Sequence, residues 1–338
     1  MTDLVPVVAL GAFDAPSRVD AACRDVGFLS IVDHGVPARV IDRMLAATDA
    51  FFALPIEEKL RLQPPSPDVD RGYAAKGSEG LVYSLGADEA PPDLFEAFNI
   101  GPDRWPAGDP VYERERHRVF APNLWPEHPT TSDLRPALVA YFEELRLLAH
   151  RLTDVLAIAL GLPADFFEDK TDHCTETMRV NHYQRDPGEP DPLPGQQRMG
   201  AHTDYGILTI LYADPVPGLQ IVGPDGGWHD VQPAEGAFLV NLGDLLAQWT
   251  NDRWRSTLHR VVPPPRGVHG PAVRRSVAFF HDCNYDALVE CLPTCCSTAD
   301  PPRYPPVIAG EHILAKLLGP RVLAASEATT TAGDRPIS

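Results

Sequence analysis

Gly200-Ala201-His202-Thr203-Asp204-Tyr205-Gly206, running directly into Ile207-Leu208-Thr209-Ile210-Leu211-Tyr212, says more about architecture than any other part of the chain. The second half is mostly β-branched and aliphatic and reads as a strand. The first half sets His202 and Asp204 two residues apart at the entrance to that strand. Side chains at i and i+2 leave the same side of an extended chain, so an imidazole and a carboxylate are expected to converge while Thr203 points away. Far along the chain, Arg255-Ser256-Thr257-Leu258-His259-Arg260-Val261-Val262 is a second run of strand formers, with Thr257, His259 and Val261 on one face. Two imidazoles and one carboxylate can hold one face of an octahedral metal and leave the other open, the arrangement suited to a ferrous ion that must meet a reductant, dioxygen and a substrate together. His202, Asp204 and His259 are therefore the candidate metal ligands and catalytic centre.

Two further strands carry polar side chains on what would be a buried face. In Val273-Arg274-Arg275-Ser276-Val277-Ala278-Phe279-Phe280-His281, alternation puts Arg274, Ser276, Ala278 and Phe280 together. A guanidinium fork and a hydroxyl two residues apart form a carboxylate clamp, and Arg275 on the other face is expected to meet solvent. In Thr177-Met178-Arg179-Val180-Asn181-His182-Tyr183, the side chains of Arg179, Asn181 and Tyr183 share a side, and Asn181 and Tyr183 are candidate donors to a small anion.

The ordered series MRVNHY, GAHTDYGILTIL, PGLQI, VNLGDLL, STLHRVV, RRSVAFF and ALVECLP resembles the isopenicillin N synthase-like family of Fe(II)- and mostly 2-oxoglutarate-dependent dioxygenases. Ala21 to Pro37, Phe51 to Lys59, Arg71-Gly72-Tyr73 and Glu96 to Gly101 are similar to its N-terminal segments, so the likeness spans roughly residues 4 to 320. The resemblance implies a double-stranded β-helix (jelly-roll) core within a mainly β fold with flanking helices. It implies iron held by His202, Asp204 and His259, the far carboxylate of 2-oxoglutarate held by Arg274 and Ser276 with help from Tyr183, and Asn181 near the iron-bound end of the co-substrate. Isopenicillin N synthase itself keeps the Arg-x-Ser pair for a substrate carboxylate and uses no 2-oxoglutarate. The pair therefore points to a bound carboxylate, and an oxidase of that type is the alternative reading. A barrel that binds a small ligand without catalysis, and more weakly a zinc hydrolase, are the others. Phe280, on the clamp face, is the candidate substrate-pocket residue. The family's substrates are diverse small molecules, and hydroxylation, desaturation and cyclisation are all implied.

Composition agrees with an enzyme of small molecules. The chain has 338 residues, 44% hydrophobic and 22% charged, with formal charge −18 and an isoelectric point near 5.0. Such an acidic surface argues against nucleic acid as partner. The N-terminus lacks a basic, apolar leader and no run suits a membrane span, so a cytoplasmic protein with free thiols is expected. Three of its six cysteines, Cys291, Cys295 and Cys296, fall close in sequence to His281, but without the paired spacing of a zinc site. An Ala- and Pro-rich acidic composition of the kind high-GC bacteria encode fits specialised metabolism. Dioxygen and a small-molecule substrate are the expected partners; oligomeric state is left open.

Helices are predicted over 16–25, 37–52 and 132–160, the last with Leu138, Tyr141, Phe142, Leu145, Leu148, Leu152, Val155 and Leu156 as its apolar stripe. Residues 62–93, rich in Pro, Gly, Ser and Asp, read as a long loop that either contributes to binding or is inert surface. Asp244 reads as the cap of a short helix and 310–318 as a last helix. The expected organisation is one structural unit: 1–120 an N-terminal helix and strand region, 121–175 support helices, 176–285 the dioxygenase core, 286–324 a C-terminal segment and helix, and 325–338 a disordered tail.

Overall fold

The computed structural model describes residues 4–85, 90–105, 108–185, 189, 191–264 and 273–318; the expectation for 325–338 lies outside them. The strands of its two main sheets in chain order are β1 (Val7–Ala9), β2 (Phe28–Val32), β3 (Gly72–Ala74), β4 (Glu96–Ile100), β5 (Cys174–Gln184), β6 (Met199–His202), β7 (Leu208–Ala213), β8 (Leu219–Val222), β9 (Trp228–Asp230), β10 (Phe238–Leu242), β11 (His259–Val261) and β12 (Val273–Asn284), and β13 (Leu288–Val289) pairs with β14 (Val307–Ile308) apart from them. Helices are α1 (Ala15–Asp25), α2 (Ala38–Phe52), α3 (Ile56–Leu60), α4 (Pro110–Glu115), α5 (Leu134–Ala159) and α6 (Asp244–Trp249). Residues 309–318 form a further helix.

Eight strands make the larger sheet, in the order β1-β2-β10-β7-β12-β5-β4-β3, and β6-β11-β8-β9 make the smaller. From β5 onward the chain passes back and forth between the two sheets, which is the jelly-roll arrangement of a mainly β core with flanking helices. Four strands of the larger sheet come from the first 100 residues, so the N-terminal region completes the sheet. The 11-residue β5 and 12-residue β12 pair antiparallel along most of their length, with Arg274 opposite Tyr183 and Ser276 opposite Asn181.

Alternation divides the side chains of this pair between two environments. Met178, Val180, Val277 and Phe279 join the core that α5 seals with Leu138, Tyr141, Phe142, Leu145 and Leu148. The Phe142 and Phe279 rings meet edge to face at 5.0 Å. Burying each such side chain contributes about 1.5–3 kcal/mol, so the 26-residue α5 is held by its stripe. Arg179, Asn181, Tyr183, Arg274, Ser276 and Phe280 turn the other way, into a cavity beside the smaller sheet. Arg275 departs from the expectation of a free solvent-facing arginine. On the outer face it pairs with Asp214 at 3.0 Å and Asp49 at 2.8 Å, pinning the sheet to α2.

Candidate metal centre and pocket

His202 and His259 are directly opposed in the antiparallel β6–β11 pair, which brings their rings to 4.3 Å between centroids. Asp204 arrives differently from the expectation of a shared strand face. β6 ends at His202, and Asp204 lies in the turn between β6 and β7. The turn is held from behind by the start of α6: Asp244 N–H donates to the Asp204 carbonyl at 2.8 Å, and Gly243 N–H to the Ile207 carbonyl at 2.9 Å. Gly243 is required for this approach, since a Cβ there would stand 2.3 Å from the Gly206 carbonyl oxygen. Similarly, β11 begins only at His259, so residues 255–258 are not strand.

The resulting geometry leaves one ligand atom per residue. His202 Nδ1 bonds the Gly200 carbonyl at 2.8 Å and His259 Nδ1 bonds the Thr257 carbonyl at 3.0 Å. Both Nε2 atoms then face Asp204 Oδ1, each at 3.7 Å. The second carboxylate oxygen is committed elsewhere, accepting from Thr209 Oγ1 at 2.5 Å and Asn241 Nδ2 at 2.6 Å. All three residues are buried, and their ligand atoms lie within 4.8 Å of one another. Burial, and then the neighbouring His259, push His202 down to about 4, so it presents a neutral nitrogen lone pair. Burial works to raise Asp204, but both imidazoles and the Thr209 and Asn241 hydrogen bonds outweigh it and hold the carboxylate below its usual range. Two neutral-capable imidazoles and one carboxylate oxygen, pre-oriented by bonds to their far atoms, fit a divalent first-row metal.

The other candidate residues line the same cavity. Arg274 is 1% exposed; its Nε reaches the Val216 carbonyl at 3.3 Å, and its Nη1 has no hydrogen-bond partner. The Tyr183 ring packs beneath this guanidinium at 5.0 Å, with its hydroxyl on Met199 Sδ at 3.7 Å. Ser276 is buried beside them. Asn181 Oδ1 accepts from Arg179 Nε at 3.0 Å, leaving the amide nitrogen as its remaining donor. Arg179 is neutralised by Glu79 at 2.6 Å. Phe280 is half-buried and faces the cavity. Asp70, Glu79 and Leu81 line it too, so the 62–93 segment contributes wall, while Ile313 and Leu317 of the last helix close another side.

One more expectation needs correction and several residues went unread. Asp244 does not cap α6: Gly243 is at the cap position, without a side-chain hydrogen bond. The Asp244 carboxylate instead joins Thr203 (3.2 Å), Ser256 (2.7 Å) and Lys316 (3.2 Å), tying both ligand-bearing segments to the last helix. His281 does not gather with Cys291, Cys295 and Cys296. It is fully buried behind β5, its Nδ1 on Glu176 at 2.9 Å, in a cluster with Cys174. Thr209, Asn241 and Phe28, whose ring meets His259 at 5.5 Å, had no role assigned. A polar residue inside an otherwise apolar strand, as in ILTIL and FLVNL, was the available signal for the first two.

Comparison with known proteins agrees with this geometry. Residues 174–282 match the family model of the 2OG-Fe(II) oxygenase superfamily, and 5–128 match that of the non-haem dioxygenase in morphine synthesis N-terminal region. The chain is 36% identical to the 2-oxoglutarate-Fe(II) type oxidoreductase hxnY of Emericella nidulans, over 88% of this chain and 82% of that protein. It is 33% identical to a homoarginine-6-hydroxylase of Oryza sativa subsp. japonica, over 94% and 96%. The crystal structure of a full-length Neurospora crassa protein in complex with alpha-KG and thymine superposes with a TM-score of 0.79 at 27% identity, covering 93% of this chain and 96% of that one.

Proposed function

The chain belongs to the 2OG-Fe(II) oxygenase superfamily, and we propose that His202, Asp204 and His259 hold its ferrous ion while Arg274 and Ser276 hold the far carboxylate of 2-oxoglutarate. The observation that carries the assignment is the convergence of two Nε2 atoms on one oxygen of Asp204, each 3.7 Å away, with every other polar atom of the three side chains already bonded. The buried, unpartnered Nη1 of Arg274 in the same cavity supports the clamp, since an uncompensated guanidinium in that position costs several kcal/mol unless an anion meets it.

When bound, iron with 2-oxoglutarate and dioxygen supplies the oxidising power for a substrate C–H bond. This chain's residues do the rest. The two strand imidazoles and the turn carboxylate would hold the ion, and the cavity they line would take the reactants. Arg274 sets the direction of the dicarboxylate along β12, and Tyr183 keeps the guanidinium in place. Phe28, Phe280, Ile313 and Leu317 exclude water and present an apolar wall to the substrate.

The substrate is a small organic molecule in this proposal, of the size of the thymine in complex with the Neurospora crassa protein, and the oxidation belongs to specialised metabolism. Relatives named as 2-oxoglutarate oxidoreductases speak against an oxidase that dispenses with the co-substrate and against a silent barrel. A cytoplasmic location is part of the proposal, supported by six free cysteines; no helix among the described residues is long and apolar enough to cross a membrane. The test is uncoupled turnover. With Fe(II), ascorbate and 2-oxoglutarate the purified protein releases succinate, and Asp204→Ala loses both metal binding and succinate release. Retention of either in that variant refutes the ligand assignment.

A further inference from the structure

β12 carries the clamp near its start and another charged group near its end. Arg274, Ser276, Ala278, Phe280 and Asp282 alternate onto the cavity, so Asp282 stands at the opposite end of that strand face from Arg274. It is 8% exposed. A Cβ on Gly206 would lie 1.4 Å from Asp282 Oδ1, so this carboxylate packs against the turn that carries Asp204, beside the metal centre. The other charged groups on this side of the cavity have partners. Glu79 pairs with Arg179 at 2.6 Å. Asp70 Oδ1 accepts from Asn99 Nδ2 at 2.7 Å. Arg71 donates to the carbonyls of Asp70 (2.7 Å), Val119 (2.7 Å) and Ala121 (3.1 Å). Among the described residues no side chain bonds or pairs with Asp282. Burial, and then the carboxylates of Asp204, Glu176 and Asp70, push its carboxyl up, with the Ile207 N–H working the other way. A buried carboxylate in such a place is unfavourable, and a cation beside it offsets that. Iron does not supply the cation: its charge is matched by Asp204 and the chelating carboxylate of 2-oxoglutarate, and Arg274 matches the other carboxylate.

We propose that Asp282 is a substrate-recognition residue, and that the substrate carries a protonated amine or guanidinium that binds its carboxylate. The inference deepens the oxygenase reading above and rests on it. Around Asp282 the wall is largely apolar, and Val119, Phe280, Ile313 and Leu317 suit a hydrocarbon chain. A substrate with a cationic head and an aliphatic body matches both features. One whose only charge is negative meets Asp282 with repulsion, so the same carboxylate that selects cations rejects anions.

The experiment is equilibrium binding of isosteric pairs to the anaerobic protein loaded with Fe(II) and 2-oxoglutarate: n-hexylammonium against 1-hexanol, and n-hexylguanidinium against n-hexylurea. The parent protein binds the cationic member of at least one pair about tenfold more tightly than its neutral partner, a difference of about 1.4 kcal/mol. Asp282→Asn keeps the size and removes the charge. In it that preference falls to within about twofold, through lost affinity for the cation, while the neutral member binds as before. No preference in either pair, a preference that survives in Asp282→Asn, or equal losses for cationic and neutral members overturns the proposal; equal losses mark a packing role. Should the amide variant misfold, Asp282→Ser is measured in its place. The absorption band of chelated 2-oxoglutarate in the parent protein separates the two readings. Absence of the band sinks the site assignment and this proposal with it, whereas a normal band without a cation preference sinks only the role of Asp282.

Discussion

Thr209→Val tests whether the metal centre depends on the bonds behind it. The Thr209 hydroxyl, 3% exposed, donates to Asp204 Oδ2 at 2.5 Å. Valine replaces that hydroxyl with a methyl of similar size, so no cavity opens and the effect is confined to one hydrogen bond. A hydrogen bond to a charged group contributes about 1.5–3 kcal/mol. Asn241 still donates to the same oxygen at 2.6 Å, which keeps the loss at the lower end. The bond also fixes rotation of the carboxylate about χ2, and that rotation decides whether Oδ1 faces both imidazole nitrogens. Removing a partner of this kind weakens metal binding about 10–100-fold. Titration of the metal-free protein with Fe(II) under anaerobic conditions, or with Co(II) by calorimetry, should show a shift in that range. Thr209→Ser should restore most of it, and kcat at saturating metal should stay near the parent value. Metal affinity within threefold of the parent in Thr209→Val would show that the turn alone orients Asp204 and would refute the reasoning.

Other outcomes follow from the same geometry. Gly243→Ala sets a Cβ 2.3 Å from the Gly206 carbonyl oxygen and 2.7 Å from its backbone nitrogen and carbon; backbone cannot yield as a side chain does, so the variant should lose about 3 kcal/mol in denaturant unfolding and bind metal poorly. Glu96 is buried among Lys59 (2.7 Å), Tyr73 (2.6 Å) and His182 (3.0 Å). Burial alone would raise it, but hydrogen bonds from His182, Lys59 and Tyr73 and the Lys59 charge hold it at about 2. A depressed carboxylate stabilises the fold above its unfolded value and loses that contribution as pH falls, so Glu96→Gln should cost about 3 kcal/mol at pH 7. The gap between variant and parent should close between pH 4.5 and 2, as followed by urea unfolding at several pH values; a gap independent of pH would refute it.

Much of the site could be read from the chain because the information is local. Period-two alternation assigned Arg274, Ser276 and Phe280, and Arg179, Asn181 and Tyr183, to one face each, and the structure places all six on the cavity. The types and order of His202, Asp204 and His259 were equally plain, as was the apolar stripe of α5. Alternation failed where the chain stops being a strand, at Asp204, whose position depends on a turn braced by Gly243 and Asp244 from a distant segment. Asp244 itself looked like an ordinary helix cap, because nothing nearby reveals that Thr203, Ser256 and Lys316 converge on it.

By itself, then, the sequence determined which side chains have metal-binding and carboxylate-binding chemistry and which face of each long strand carries them, since both are properties of a few neighbouring residues. Only tertiary structure decided what stands behind and beside them. Asn241 reaches the oxygen of Asp204 that Thr209 also holds because β7 and β10 pair in register. Asn241 lies 37 positions from Asp204, and the hydrogen-bond register and sheet packing that bring them together leave no periodic mark on the residues themselves.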